Sequence, residues 1–476
     1  MKKLLKTYFI FVLVIFTAGL YLHFNEDPNW AFVNEKGSWV LKKDSETFFI
    51  RGAVMHHKIS RPELFEKIGG NAVRVQADLE LISEAYDNGL YSFVNLPIMY
   101  QRDGMDWSCE SQVEAQEKKI IEVVKKLKGH PGVMMWSLGN EHGIIPSNDY
   151  KYDSNTWKSL DRISRSVKSI DPSHPIGFCV GGSDSEKLSE IAEDCGNLDF
   201  IGINTYSGLK EALSEAKSVW KKPIVCTEWG IKGWWGQGWQ AHWLVIEEKT
   251  SFEKSKLIEE RCRELEDGKD LCVGGFAFYW GDRAEQSTTW WGLLHDNLST
   301  DSVGSLASVW NGVYADRSPL KLDRPVIKDL NGIALKEGEL YATTWDAPED
   351  FRARERPTLD LDEGRVYEAS VFLDGVDHET ILNWEIREGT GVMVYSNSKD
   401  DIRLLEDLIL TQEGSRITFK APKDTGVYRL YVFAKKGDDH IAYANEVFTA
   451  GRLAHEDRER LSEPYETNPP VLLPCD

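Results

Sequence analysis

The sequence predicts an α/β chain: a (β/α)8 TIM barrel, then a C-terminal antiparallel Ig-like β-sandwich, with an apolar signal or anchor segment at the N-terminus. Three observations carry this. Eight short, nearly continuous apolar runs alternate with longer amphipathic ones from residue 48 to about 325, the order and size of eight βα units. Beyond Pro325, short runs are split by Asp, Gly and Lys turns, the rhythm of a sandwich. Ahead of both, a lysine cluster leads straight into an apolar stretch. The expected divisions are 1–24 (signal or anchor), 25–47 (lead-in), 48–325 (barrel), 331–450 (sandwich) and 451–476 (flexible tail). A chain of 476 residues has room for them, since domains run ~50–250 residues.

Lys2, Lys3 and Lys6 precede an apolar run at 8–22, the layout of an export signal whose positive end stays in the cytoplasm. The run is short for a full span of ~20 residues. Thr17-Ala18-Gly19 is the one small-residue patch that resembles a cleavage site. An uncleaved anchor, which would make the membrane a partner, and a cleaved signal peptide both remain open. In either case the remainder faces outside the cytoplasm, in a periplasm, at the cell surface or secreted. Such a compartment permits disulfides. Seven cysteines leave at least one unpaired within the chain. Cys179 and Cys226 lie in strand-like runs and read as core, while Cys262 and Cys272 flank a helix-to-strand turn and are the expected pair.

The barrel strands are expected at 48–54, 72–76, 91–96, 133–138, 175–180, 200–204, 223–227 and 275–280. Their apolar character hardly alternates, as in parallel strands covered on both faces. Between them, 111–128 sets Val113, Ile120, Ile121, Val124 and Leu127 on one helical stripe, and 156–170 and 252–265 follow the same pattern. A doubly wound sheet would need a Gly-rich phosphate loop after an early strand; Met55-His56-His57-Lys58 is not one. The connections 229–251 and 281–301 exceed mere turns, and in a barrel such loops stand on the catalytic face. In the sandwich, strands are expected at 366–373, 379–386, 391–395, 416–419 and 427–433.

Composition narrows the function classes. With 41% hydrophobic and 28% charged residues the chain has the balance of a folded protein. Lys and Arg total 56 against 77 Asp and Glu, a net charge of −21 that repels phosphate backbones and sets nucleic acid aside as a partner. The same charge disfavours strongly anionic polysaccharides. The cysteines form no CxxC pair, which excludes a zinc ribbon or thioredoxin-type site.

Two carboxylates carry the chemistry. Glu141 and Glu228 end the fourth and seventh strand runs, so a barrel directs both at one central cavity. Two carboxyl groups across one bond are the equipment of glycoside hydrolysis: one protonates the departing oxygen, the other, kept ionised, attacks the anomeric carbon. The run 130–141, ending Trp136-Ser137-Leu138-Gly139-Asn140-Glu141, resembles the acid/base strand of family 2 glycoside hydrolases, which belong to clan A of retaining barrel enzymes. The run 222–230, with Thr227-Glu228-Trp229-Gly230, is similar to that clan's nucleophile strand.

The resemblance implies Glu141 as acid/base, Glu228 as nucleophile and Asn140 on the sugar 2-hydroxyl. Arg51-Gly52-Ala53-Val54-Met55-His56 resembles the first strand and implies His56 in the sugar pocket. Asn71-Ala72-Val73-Arg74 implies Arg74 as the support that keeps Glu228 ionised. The sixth strand implies Tyr206 as hydrogen-bond partner of Glu228, and the eighth Trp280 as the floor of the subsite, with Tyr279 as rival. No cofactor or metal is implied. The family's Asn before the first-strand His is Val54 here, its Ser-His after the second-strand Arg is Val75-Gln76, and residues 25–45 are expected to be too few for its preceding β-domains. With these departures the resemblance implies the catalytic class but not the sugar. Bland roles suit some of these residues too: Arg74 as an ion pair on the barrel floor, and His56 as a core histidine with His57 facing inward.

Eight of the 17 tryptophans lie between 229 and 291, among them Trp229, Trp235 and Trp280. Indoles stack on sugar C–H faces, although large loops also need aromatic anchors. The expected activity is therefore an exported retaining β-glycosidase acting on an oligo- or polysaccharide, most simply a neutral β-glucan, by hydrolysis or transglycosylation. The alternative is a catalytically degenerate barrel that binds carbohydrate or serves exopolysaccharide assembly.

Overall fold

The structure, a computed structural model, describes residues 30–142, 154–233, 239–241, 247–313, 319–331, 333, 354–356, 359–375, 379–389, 401–451 and 475. The apolar run 8–22, the strand expected at 391–395 and all of the tail except 451 and 475 lie outside them. Among the described residues no helix is long and apolar enough to cross a membrane.

Before the barrel, in the expected lead-in, β1 (Trp30–Glu35), β2 (Ser38–Lys43) and β3 (Glu46–Phe48) form an antiparallel sheet. Its tight turns take Lys36, Gly37, Asp44 and Ser45 at positive φ, as two-residue hairpin turns do. Trp30 meets Phe48 and Tyr91 edge-on at 5.1 and 5.0 Å, and Phe32 lies 5.8 Å from Phe200. Tyr91 and Phe200 begin barrel strands, so this sheet plugs the end of the barrel opposite the site.

The barrel closes in parallel order from β4 (Ile50–Val54), β5 (Ala72–Gln76), β6 (Tyr91–Asn95), β7 (Val133–Asn140), β8 (Ile176–Gly181) and β9 (Phe200–Asn204) to β10 (Ile224–Trp229). After β11 (Trp239–Ala241), outside the ring, β12 (Gly274–Ala277) completes it between β10 and β4. The helices are α1 (Pro62–Lys67), α2 (Leu79–Asp87), α3 (Glu110–Leu127), α4 (Ser154–Ile170), α5 (Ser185–Asp194), α6 (Leu209–Val219), α7 (Ser251–Asp267) and α8 (Asp301–Trp310). On α3 the expected stripe is buried except Ile121, which is half-buried. A capping box starts α7: Thr250 accepts from the Glu253 amide, and Glu253 accepts from the Thr250 amide at 2.8 Å.

Inside the ring, Phe93 meets Phe200 at 5.7 Å and Phe276 at 5.3 Å, and the Arg74 guanidinium lies 5.7 Å from Phe93. Glycines make room for this aromatic layer: a Cβ on Gly52 would stand 2.3 Å from the Phe276 ring. Arg74 thus rests on a hydrophobic floor with its nitrogens toward the C-terminal mouth of the barrel.

The C-terminal half differs from the expected sandwich. β13 (Leu294–His295) and β14 (Leu298–Ser299), from the connection after β12, open a sheet that continues through β25 (His440–Ala450), β24 (Gly426–Lys436) and β21 (Thr380–Glu388). β18 (Leu359–Leu361) also pairs with β25, and both it and β14 do so in parallel. The second sheet is fully antiparallel: β16 (Val326–Lys328), β19 (Val366–Ser370), β23 (Arg416–Lys420) and β22 (Ile409–Glu413). β15 (Lys321–Leu322) pairs with β20 (Leu373–Asp374), and β11 pairs with β17 (Arg354–Arg356). The two larger sheets share one core, including Tyr367, Trp384, Phe419, Leu430 and Phe448.

The expected Cys262–Cys272 pair does not form; both thiols are free and buried. The disulfide instead joins Cys109 to Cys475 across 366 residues. Cys109 caps α3, and proximity in sequence could not have indicated a partner so distant.

Candidate active site

Each carboxylate stands where its strand loses register with a neighbour. The β7–β8 pairing shifts between Ser137 and Asn140, and the β10–β9 pairing between Cys226 and Glu228. Such irregularities bend a strand and re-aim side chains. At β7 the bend needs glycine: Gly139 has φ +83°, and a Cβ there would stand 2.4 Å from Ile98 and 2.9 Å from the Tyr100 hydroxyl. Glu141 follows at φ 53°, a left-handed conformation costing a non-glycine residue about 1–2 kcal/mol.

Arg74 is the hub. Fully buried, it donates to Asn95 Oδ1 at 3.2 Å, the Thr227 carbonyl at 3.2 Å, Glu228 Oε1 at 2.7 Å and Asn140 Oδ1 at 2.8 Å. Tyr206 donates its hydroxyl to the other oxygen of Glu228. Asn204 Nδ2 donates to Glu141 Oε1 at 2.8 Å and to Asn140 Oδ1 at 3.0 Å, while Thr227 Oγ1 donates to Asn204 Oδ1 at 2.7 Å. One continuous network therefore reaches both carboxylates. Glu141, Glu228, Asn140, Arg74 and Tyr206 meet as the sequence implied.

The electrostatics correct one expectation. Arg74 and Tyr206 do favour the ionised form of Glu228. Burial outweighs them, aided by the charge of Glu141, and the carboxyl is pushed up to about 7. His56 is half-buried at the mouth of β4, and its Nε2 is buried without a hydrogen-bond partner among the described residues. Burial, then the charges of Arg74, Arg283 and His57, hold it well below the ordinary histidine value, so it is neutral. His57 is exposed, so His56 is the inward one.

The tryptophans differ from expectation. Trp280 is fully enclosed, its indole donating to the Ser60 carbonyl at 2.6 Å and packing on Phe65 at 4.7 Å. Trp229 is likewise fully enclosed. Neither offers a sugar a ring face, because both are enclosed in the barrel's hydrophobic core. Trp235 lies outside the described residues. The wall beside Tyr206 is made by Phe278 at 5.8 Å and Trp291 at 4.9 Å, and Tyr279 lies 6.1 Å from His56. Trp291 donates to Glu285 Oε2 at 2.6 Å.

Asn204, Glu285 and Trp291 were missed as site residues. For Asn204 a signal existed, since strand alternation puts it on the same side as Tyr206 two residues on. Glu285 and Trp291 belong to an irregular connection with no period to read.

Residues 88–291 match the family model of the glycosyl hydrolases family 2 TIM barrel domain. Similar solved structures include an FMN-binding β-glucuronidase from Facaelibacterium prausnitzii L2-6, at 13% identity over 94% of this chain and 60% of that one, with a TM-score of 0.46. A β-glucuronidase from Ruminococcus gnavus in complex with uronic deoxynojirimycin matches at 16% identity over 59% of this chain and 52% of its own, TM-score 0.43. Saccharomyces cerevisiae Gas2p in complex with laminaritriose and laminaritetraose matches at 17% identity, 62% and 69% coverage, and TM-score 0.41. The chain thus spans about three fifths of the first of these proteins and about half of the second.

Proposed function

We propose that this protein, whose closed barrel matches the family 2 TIM barrel model over residues 88–291, is a retaining β-glycosidase of clan A in which Glu228 is the nucleophile and Glu141 the acid/base. The observation that carries this reading is the network itself: Arg74 and Tyr206 grip both oxygens of Glu228, while Asn204, bonded to the Asn140 that Arg74 also holds, binds Glu141. Ionised Glu228 attacks the anomeric carbon as Glu141 gives its proton to the departing oxygen. Glu141 then takes a proton from water, or from a second sugar's hydroxyl, whose oxygen attacks the anomeric carbon on the face the first leaving group vacated and displaces Glu228 from the opposite face. Two inversions restore the starting configuration. Asn140, its oxygen held by Arg74 and Asn204, presents its amide nitrogen to the sugar 2-hydroxyl. The net charge of −21 supports an uncharged β-linked glucan over an anionic one. The N-terminal lysine–apolar pattern and the Cys109–Cys475 disulfide support work outside the cytoplasm, on an anchor or after cleavage.

The test uses aryl β-glycosides and a panel of neutral β-glucans. Glu228→Ala is expected to lower turnover by at least 10³-fold. Glu141→Ala should spare substrates with good leaving groups, and azide should restore its turnover. The first product, followed by NMR, should keep the β configuration. An inverted product, or an active Glu228→Ala, would overturn the assignment.

A further inference from the structure

The connection that carries Trp291 is held from outside the barrel. Lys254 of α7 is buried and pairs with buried Glu248. Its ammonium donates to the carbonyls of Thr289 and Trp290 at 2.9 and 3.1 Å and to the Tyr443 hydroxyl at 3.3 Å. Tyr443, on β25, donates to the same Thr289 carbonyl at 3.0 Å, and Tyr431, on β24, accepts from the Thr288 amide at 3.3 Å. Glu248 accepts from Thr289 Oγ1 at 2.7 Å and from Asn445 Nδ2 at 2.9 Å, and Arg429 holds the other end of Asn445 at 2.8 Å. Three consecutive residues thus have their backbone bound by side chains of α7 and the C-terminal sheet.

The next residue reaches the site. Trp291 leans on Tyr206 at 4.9 Å, its indole anchored on Glu285, and Tyr206 donates to Glu228. We propose that Lys254 is a positioning residue for the reaction. Through the Thr289 and Trp290 carbonyls it sets Trp291 against Tyr206, and so sets the hydrogen bond that Glu228 receives. The C-terminal sheet supplies the other half of this clamp through Tyr443 and Asn445. A buried ammonium and carboxylate are an expensive way to join two surfaces that apolar side chains could join as well. Here the ion pair does what apolar groups cannot, because it aims donors at two successive carbonyls. The assignment rests on Glu228 as the nucleophile.

The test compares wild type, Glu248→Gln/Lys254→Met and Tyr443→Phe in the full chain, with Tyr206→Phe as the reference for a lost Glu228 hydrogen bond. The double substitution avoids leaving one buried charge unpaired. Expected are faster amide exchange at 287–292, a kcat lowered about tenfold with KM within about threefold, and an acid limb of kcat/KM moved to higher pH, as in Tyr206→Phe. Tyr443→Phe, which removes a single hydroxyl, should give the same signs at about threefold, and it decides the matter if the double variant does not fold. Unchanged exchange and an unchanged acid limb in a folded variant would overturn the proposal. An active Glu228→Ala would instead remove the nucleophile reading, and the exchange result would still decide whether the clamp exists.

Discussion

Glu228 meets opposing influences, and their balance has a visible consequence. Burial raises its carboxyl to about 7 against the pull of Arg74 and Tyr206. In the proposed role of nucleophile it acts ionised, so kcat/KM should fall as pH drops below about 7. Tyr206 donates to the ionised form, and removing that bond raises the carboxyl further. Tyr206→Phe is therefore expected to move the acid limb up by about one to two pH units, since a hydrogen bond to a charged group contributes about 1.5–3 kcal/mol and a unit is about 1.4. The loss of activity should be larger at pH 6 than at pH 8. A limb that stays in place, or moves down, would show that the phenol does not govern this carboxyl. At this scale the sequence was informative for Glu141, Glu228, Asn140, Arg74 and Tyr206, because each lies in or just past a strand run beside a recognisable neighbour. It was misleading for Trp280 and Trp229, since an indole has the same letters whether it faces a sugar or a core.

Among elements, the strand ends do the placing. Gly139 permits the turn that brings Asn140 and Glu141 inward, and no side chain fits there. Gly139→Ala combines a positive φ with contacts to Ile98, His142 and Tyr100. It should cost about 2–4 kcal/mol and lower kcat/KM more than tenfold. Gly304→Ala, inside α8 with open space around it, serves as the contrast and should be neutral or stabilise by up to about 1 kcal/mol. Thermal melts and kinetics of the two variants check this; equal effects would mean that helix and strand-end glycines are interchangeable here. The barrel strands were legible because parallel strands are apolar throughout. β25 was not: His440, Asn445 and Thr449 interrupt its apolar pattern, yet all three are buried, His440 and Asn445 having found polar partners on the barrel side and Thr449 one on the neighbouring β18.

The whole molecule is tied together at long range. His440 of β25 bonds to Asp301 of α8 at 2.7 Å, Arg61 pairs with Asp439 at 2.5 Å, and Cys475 is bonded to Cys109 on the barrel. The five remaining cysteines are buried and free. A thiol reagent should titrate none in the native protein and five after unfolding without reductant, and a count of seven would refute the disulfide. Cys109→Ser/Cys475→Ser should lower stability by about 2–5 kcal/mol in guanidinium melts. What the sequence alone determined was the barrel and its pair of carboxylates, because strand rhythm and strand-end motifs are local properties written in neighbouring residues. The tertiary structure decided which aromatics face the site, which cysteines pair, and that the last sheet takes strands from the barrel's own connection. Those outcomes depend on which distant surfaces meet, and burial, which turns an ordinary lysine or tryptophan into a core element, exists only once they have met.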